Sequence, residues 1–126
     1  MKVLNSEIFG AYDALQKLTN LDLPVKTSFQ LARLTNLISG HYFAVNQVRE
    51  KLIKKHGNPV KNTANFSIQP TDEHWPEFVN GLNELMAQEV ELEFGKVLLP
   101  HTVEGKPLMV KASILVMLEK FVELDI

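Results

Sequence analysis

The sequence predicts an α+β fold dominated by helix, with residues 1–126 forming a single domain around one long central helix. Three observations predict it. Apolar residues recur three and four positions apart between residues 27 and 56, the spacing of one helix face over about eight turns. Shorter stretches with the same period lie on either side. Near residue 89 the period changes to two, as in a half-buried strand.

The long helix is expected from about residue 27 to residue 56. Thr27 followed by Gln30 has the pattern of a capping box, in which two side chains satisfy free backbone donors at a helix start. Basic residues collect in the last turn, and Gly57 and Pro59 then end the helix. The seam of this helix, spaced as in a coiled coil, consists of Leu31, Leu34, Ile38, His41, Val45, Val48 and Leu52.

Shorter elements are predicted around it from apolar stripes and from capping residues such as Asn5. Three further helices are expected, at about 5–19, 72–88 and 111–123. A small two- or three-stranded antiparallel sheet is expected from strands at about 66–69, 89–99 and 107–110. In the second of these strands Glu89, Glu91 and Glu93 alternate with apolar residues, which places three carboxylates on one face.

Composition and motifs exclude several kinds of chemistry. The chain has no cysteine, which excludes thiol catalysis, cysteine zinc sites and disulfides. It contains no glycine-rich phosphate loop, nucleophile elbow or H-E-x-x-H motif. The N-terminal residues lack the pattern of a secretory signal, and no apolar run is long enough to span a bilayer. We therefore expect a cytoplasmic protein that is not an enzyme and needs no cofactor, metal, membrane or small-molecule substrate.

Charge is distributed unevenly, although the formal net charge is only −2. Residues 1–56 carry eight Lys and Arg against four Asp and Glu, whereas residues 57–126 carry five against eleven. Cations at a helix C-terminus complement the helix dipole, so a solvated end is the simpler interpretation. The alternative is a contact with nucleic acid or a protein partner. The candidate residues are Arg49, Lys51, Lys54, Lys55 and Lys61.

Other polar groups carry weaker signals. His41 interrupts the apolar seam, either as a pH sensor or metal ligand, or as a hydrogen-bonded histidine that fixes helix register. Asp72, Glu73, His74 and Glu77 resemble a metal or acid–base group, but acidic residues also favour helix starts, and no second cluster supplies further ligands. Glu89, Glu91 and Glu93 would share one environment, whereas two catalytic carboxylates need different environments to act as acid and base. We expect no metal or catalytic site at these positions.

The long helix predicts self-association. A single domain of this length is roughly 30 Å across, so a straight helix of about eight turns should extend beyond it. Its apolar seam would then be covered by a second copy of the chain. The predicted protein interface consists of Leu31, Leu34, Ile38, His41, Tyr42, Phe43, Val45 and Val48.

Several stretches of the chain resemble one family. They are LNSEIFGAYDALQKLTNLDLPVKTSFQLARLTNLI, VREKLIKKHG and FVNGLNELMAQEVELEF. Within them, an A-x-x-x-L-x-x-L first helix, an LPVK link, an R-x-x-L-I-x-K-x-G helix end and an E-V-x-L strand follow one another. This layout resembles a family of short, largely uncharacterised proteins of tailed bacteriophages and prophages. The apolar segment at His41, Tyr42 and Phe43 departs from the family, where a more polar helix is expected.

The resemblance implies a product encoded among phage structural and assembly genes, without enzymatic activity and without functional residues to transfer. We therefore expect an accessory or structural protein that binds itself or other phage proteins through its long helix, in the host cytoplasm or within the virion. The alternative is a small phage regulator or inhibitor, which would bind a host protein or nucleic acid through the basic helix end.

Overall fold

In a computed structural model that describes residues 1–125, the chain folds as helices packed with small two-stranded sheets. Within these residues the helices are α1 (Asn5–Thr19), α2 (Val25–His56), α3 (Trp75–Met86) and α4 (Ala112–Met117). The strands are β1 (Lys2–Leu4), β2 (Asn58–Pro59), β3 (Phe66–Ser67), β4 (Glu89–Glu91), β5 (Val97–Pro100), β6 (Thr102–Val103), β7 (Lys106–Pro107) and β8 (Val122–Asp125). The predicted helix-dominated α+β class is confirmed.

Helix α2 is continuous through Gly40 and measures about 48 Å at about 1.5 Å per residue. It begins two residues earlier than predicted, because the Ser28 N–H donates to the Pro24 carbonyl at 2.9 Å and closes the first turn there. The predicted capping box is wrong, since Thr27 lies inside the first turn and no side-chain hydrogen bond from the described residues caps this helix. Thr27 is also buried.

Helix α1 has the predicted bounds, but Asn5 is its first helical residue rather than its cap. The Asn5 side-chain amide donates to the Leu85 carbonyl at 2.9 Å, which ties the start of α1 to the end of α3. At the same turn the Leu4 N–H donates to the Glu7 carboxylate at 2.8 Å. The Asn5 side chain therefore makes a tertiary hydrogen bond instead of the helix-capping hydrogen bond that local rules predict.

Helix α3 begins at Trp75 rather than near residue 72, because Asp72 closes a turn before it. The Gln69 N–H donates to the Asp72 carboxylate at 2.8 Å, and the Trp75 N–H donates to the Asp72 carbonyl at 3.1 Å. Aspartate favours such turns over a helix interior. The helix ends at Met86, two residues short of the prediction.

The single antiparallel sheet that was predicted does not form within residues 1–125. The segment predicted at 89–99 divides into β4 and β5, and the segment near 107–110 contributes only the end of β7. β4 pairs antiparallel with β1, β3 with β2, and β7 with β6, whereas β5 pairs in parallel with β8. The Met1 amino group also donates to the Leu92 carbonyl at 2.6 Å. Pairing with distant segments leaves no short-range signal in the sequence.

The last predicted helix, at 111–123, stops at Met117. Residues 122–125 form β8, with Val122 opposite Val97 and Leu124 opposite Leu99. A parallel pair requires a long crossover, and β6, β7 and α4 supply it. The turn after α4 buries Leu118 and Phe121, so the apolar spacing that resembled a helix belongs to a turn and a strand.

The main core lies between α1, α2, α4 and the β5–β8 pair. Its fully buried large side chains are Ile8, Leu15, Leu18, Leu31, Leu34, Ile38, Leu92, Leu99, Leu118 and Phe121. The C-terminal half of α2 is covered by α3, where a Cβ added at Gly81 would lie 3.0 Å from the Leu52 side chain. The hairpin of β2 and β3 packs on the last turn. The chain thus packs against both halves of the long helix, but no residue of α2 after Val45 is buried among the described residues.

Candidate functional site

The predicted interface along the seam of α2 is mostly inside the protein. Leu31, Leu34 and Ile38 are 0% exposed, and Val45 is 5% exposed. The prediction that these four side chains contact a partner is therefore wrong for the folded chain. α2 was expected to extend beyond the elements that cover it, but α1, α3 and β5 pack along it.

Three other seam residues remain partly accessible. His41 and Leu52 are half-buried, and Val48 is 41% exposed. His41 is separated from the other two by Val45, which is buried. The accessible apolar part of the seam is therefore limited to Val48 and Leu52, near the C-terminal end of α2.

The aromatic pair of the prediction lies at the surface beside α1. The Tyr42 ring stacks on Tyr12 with centroids 3.9 Å apart and on Phe9 at 4.8 Å. Phe43 meets the edge of Tyr12 at 6.2 Å and remains 56% exposed. The Arg49 guanidinium lies 6.0 Å from the Phe9 ring. Packed neighbours thus hold Phe43 on the surface in a defined position.

A second surface, on the side of α2 away from the core, carries three exposed large apolar side chains. Val25 is 86% exposed, Phe29 63% and Phe43 56%. Steps of fourteen residues return to nearly the same side of an α-helix, so Phe29 and Phe43 lie on one face about 21 Å apart. We call this surface the outer face. It consists of Val25, Phe29, Ala32, Asn36, Ser39, Gly40 and Phe43.

Small side chains separate the two phenylalanines on the outer face. Ala32, Asn36 and Gly40 are exposed, and no atom of the described residues beyond the helix itself lies within 4 Å of a Cβ built on Gly40. The Arg33 guanidinium lies 6.0 Å from the Phe29 ring and 5.9 Å from the Phe94 ring. The surface therefore has two aromatic projections with a shallow stretch between them.

Val25 and Phe29 were missed as candidate contact residues. The signal was present, because Val25, Phe29, Ala32, Asn36, Ser39 and Phe43 are spaced alternately by four and three residues. The seam contains more apolar residues, and for that reason it was predicted to face the partner. A single amphipathic pattern cannot say whether the more apolar stripe faces its own chain or another.

The basic end of α2 is solvent-exposed. Lys51, Lys54, Lys55 and Lys61 are exposed, and none of them forms an ion pair within residues 1–125. Arg49 differs, since its guanidinium lies 3.5 Å from Glu50 and donates to the Asn46 side chain at 3.2 Å. Four of the five predicted cations are thus free to meet an anionic partner.

The structure does not draw the other candidate groups together. His74 and Glu77 lie 3.9 Å apart at the start of α3, each with 57% of its side chain exposed. Glu89, Glu91 and Glu93 are exposed on or after β4, and Glu91 lies 3.3 Å from the Met1 amino group. Among residues 1–125, no group of three His, Asp or Glu side chains is placed to hold a metal ion.

One carboxylate has a shifted pKa. Burial raises the pKa of Glu7, but hydrogen bonds from Lys120 and from the Leu4 N–H, with the charge of Lys120, outweigh burial and lower it below its usual 4.5. The Lys120 Nζ lies 2.8 Å from the Glu7 carboxylate, linking α1 to the turn after α4. This pair has a structural role, since no other titratable group of the described chain lies within ion-pair distance of it.

None of the helices within residues 1–125 combines the length and apolar composition needed to cross a membrane. No family model, curated protein sequence or solved structure matches the chain.

Proposed function

We propose that this chain is a non-enzymatic, phage-type accessory or structural protein that binds protein through the outer face of α2. The single observation that supports this proposal is the exposure of Phe29 and Phe43 on one face of a rigid helix. Aromatic side chains supply much of the energy of protein interfaces, because each buries a large apolar area at a small entropic cost.

The position of these rings favours a binding role over chance exposure. Single exposed apolar residues are ordinary, but Val25 and Phe29 lie one helical turn apart and form an exposed apolar patch, and Phe43 lies on the same face. Phe43 meets the edge of the Tyr12 ring, and the Arg33 guanidinium lies 6.0 Å from the Phe29 ring, so each ring has a neighbour on its own chain. Preorganised contact groups lose less entropy on binding.

The partner in this proposal is a second copy of the chain, another phage protein, or both. Light scattering coupled to size exclusion at tens of micromolar tests the first. We expect an oligomer for the native chain and a monomer for the Phe29→Ser, Phe43→Ser double variant. Losing one aromatic anchor typically costs about 2 kcal/mol, or about thirtyfold in affinity. A native chain that remains strictly monomeric would remove the homo-oligomer from the proposal.

A matched control distinguishes binding through this surface from non-specific hydrophobic association. Val116 is 69% exposed and Met117 is 55% exposed, both on α4. The Val116→Ser, Met117→Ser variant loses a similar exposed apolar area elsewhere on the molecule. We expect this control to associate like the native chain. Equal loss of association in both variants would argue against the outer face.

The phage context is tested separately. If the chain is a virion component, mass spectrometry of purified particles will detect it at a fixed ratio to the major capsid protein. Its absence from particles, together with its presence in infected cells, would restrict the proposal to an assembly or regulatory role.

The second candidate function is a phage regulator that binds nucleic acid or a host protein through the basic end of α2. Its support is that Lys51, Lys54, Lys55 and Lys61 are exposed and make no ion pair within the described residues. A gel shift that weakens with salt and disappears in the Lys51→Glu, Lys54→Glu variant would favour it. No shift at low salt would exclude nucleic acid as the ligand.

A further inference from the structure

The first turn of α2 has free backbone donors. Its cap residue is Pro24, no side chain of residues 1–125 caps the turn, and the first helical hydrogen bond comes from the Ser28 N–H. The N–H groups of Val25, Lys26 and Thr27 therefore have no acceptor among the described residues. No acidic residue lies in this turn, although the positive end of the helix dipole favours one.

A groove of about 260 Å³ opens beside this turn, between α2 and the β5–β8 pair. From α2 it is lined by Lys26, Thr27 and Gln30. Its opposite wall consists of Lys96, Leu98, Pro100 and Asp125. Two lysines from distant parts of the chain thus meet at the start of the longest helix.

Thr27 provides an independent sign of a ligand. The residue is only 8% exposed, and its hydroxyl forms no hydrogen bond with any group in residues 1–125. No fully buried side-chain oxygen of the described chain lacks a partner, so the Thr27 hydroxyl keeps some accessible surface, and Thr27 is one of the residues that line the groove. An acceptor in the groove would give this hydroxyl a direct hydrogen-bond partner in place of water.

The charges in the groove favour an anion. Lys26 and Lys96 form no ion pair within the described residues, and Asp125 is the acidic side chain that lines the groove. Among the described residues that line the groove, two cations and the helix dipole outweigh the one carboxylate. Backbone donors at a helix start with nearby lysines suit an oxyanion.

We propose that this groove binds a phosphate group, supplied as free phosphate or as a small phosphomonoester. The Thr27 hydroxyl and the first-turn N–H groups donate to its oxygens, and Lys26 and Lys96 balance its charge. The site lies at the opposite end of α2 from the basic end, and its occupation does not depend on the protein-binding proposal.

Nuclear magnetic resonance titration of the full chain tests the proposal, with inorganic phosphate and glycerol phosphate as probes. Sodium chloride at matched ionic strength is the control. We expect saturable shifts of the Lys26, Thr27 and Lys96 amides with phosphate below tens of millimolar. Glycerol phosphate binding tighter than phosphate would identify a monoester as the better ligand, and the reverse would identify the free ion.

Variants make the assignment specific. Thr27→Val keeps the side-chain shape but removes the hydroxyl, and Lys26→Gln removes an exposed charge; each should weaken phosphate binding at least about tenfold, as for hydrogen bonds to charged groups. Asp125→Asn removes the opposing carboxylate and should tighten binding severalfold. Lys51→Gln, at the far end of α2, should leave binding unchanged.

Several results would overturn the proposal. One is the absence of saturable shifts with either probe. Another is a loss in Lys51→Gln equal to that in Lys26→Gln, which would indicate non-specific charge attraction. Should Thr27→Val not fold, the test rests on the exposed positions, Lys26 and Asp125. Unchanged affinity in both of their variants would show that the groove does not bind phosphate.

Discussion

The substitution Leu34→Ala tests whether the seam of α2 is closed by the chain itself. Leu34 is 0% exposed and belongs to the main core. Removing its buried carbons forfeits about 0.8 kcal/mol for each CH₂ group, and the cavity left behind adds to the loss. We expect the free energy of unfolding to fall by about 3–5 kcal/mol. That is a large part of the roughly 5–15 kcal/mol available to a domain of this kind.

The assay is urea denaturation followed by circular dichroism, at a dilution where light scattering finds only monomer. At this dilution, if the seam is buried within one protomer, Leu34→Ala still lowers the free energy of unfolding by the full amount. A seam closed only by a second copy would already be exposed, and Leu34→Ala would then cost little. A loss below about 1 kcal/mol in the monomer, far under the usual cost of a buried leucine truncation, would refute the burial of the seam within one chain.

Val48→Ala is the matched control on the same helix. Val48 is 41% exposed, so its truncation removes a smaller buried area. Alanine also has the higher helix propensity, which offsets part of the loss. We expect a cost below about 1 kcal/mol. Similar losses at Leu34 and Val48 would mean that the two positions are equally covered.

Three further predictions concern the free energy of unfolding. Each is measured as a shift in the midpoint of urea denaturation, with the slope of the transition unchanged. Gly40→Ala should stabilise the monomer by about 1 kcal/mol, because the helix gains propensity and the new Cβ meets nothing within 4 Å; a loss would indicate an unseen contact. Gly57→Ala should destabilise by about 1–3 kcal/mol, since its Cβ would clash with the Ser67 carbonyl; a neutral result would contradict this close approach. Lys120→Met should cost less than about 1 kcal/mol at neutral pH. Because the folded pKa of Glu7 is lowered, that difference should vanish as the pH falls below the unfolded value of 4.5 and through the folded pKa; a constant difference would argue against the ion pair.

Local rules predicted the elements whose ends depend on nearby residues. The bounds of α1 and the end of α2 at His56 follow from apolar spacing, terminal cations and a glycine within the same few turns. These signals act over one or two turns, which a sequence displays directly. The helix-dominated class followed from the same signals.

Pairing between distant segments could not be read in this way. β4 pairs with β1 at the N-terminus, and β5 pairs in parallel with β8 near the C-terminus. Residues 118–123 have helical spacing, yet burial of Leu118 and Phe121 against the core and pairing of Val122 with Val97 decide their conformation. Such choices depend on which distant surfaces are available, and no local pattern records that.

The candidate sites also differ in whether local patterns predicted them or tertiary packing decided them. From the sequence alone came a long amphipathic helix, a cationic end and an aromatic pair at Tyr42 and Phe43. The tertiary structure decided that Leu34 faces the core while Phe29 faces solvent, and it brought Lys96 beside Thr27. The physical reason is that spacing fixes which side chains share a helix face, whereas the packing of the whole chain fixes what that face meets.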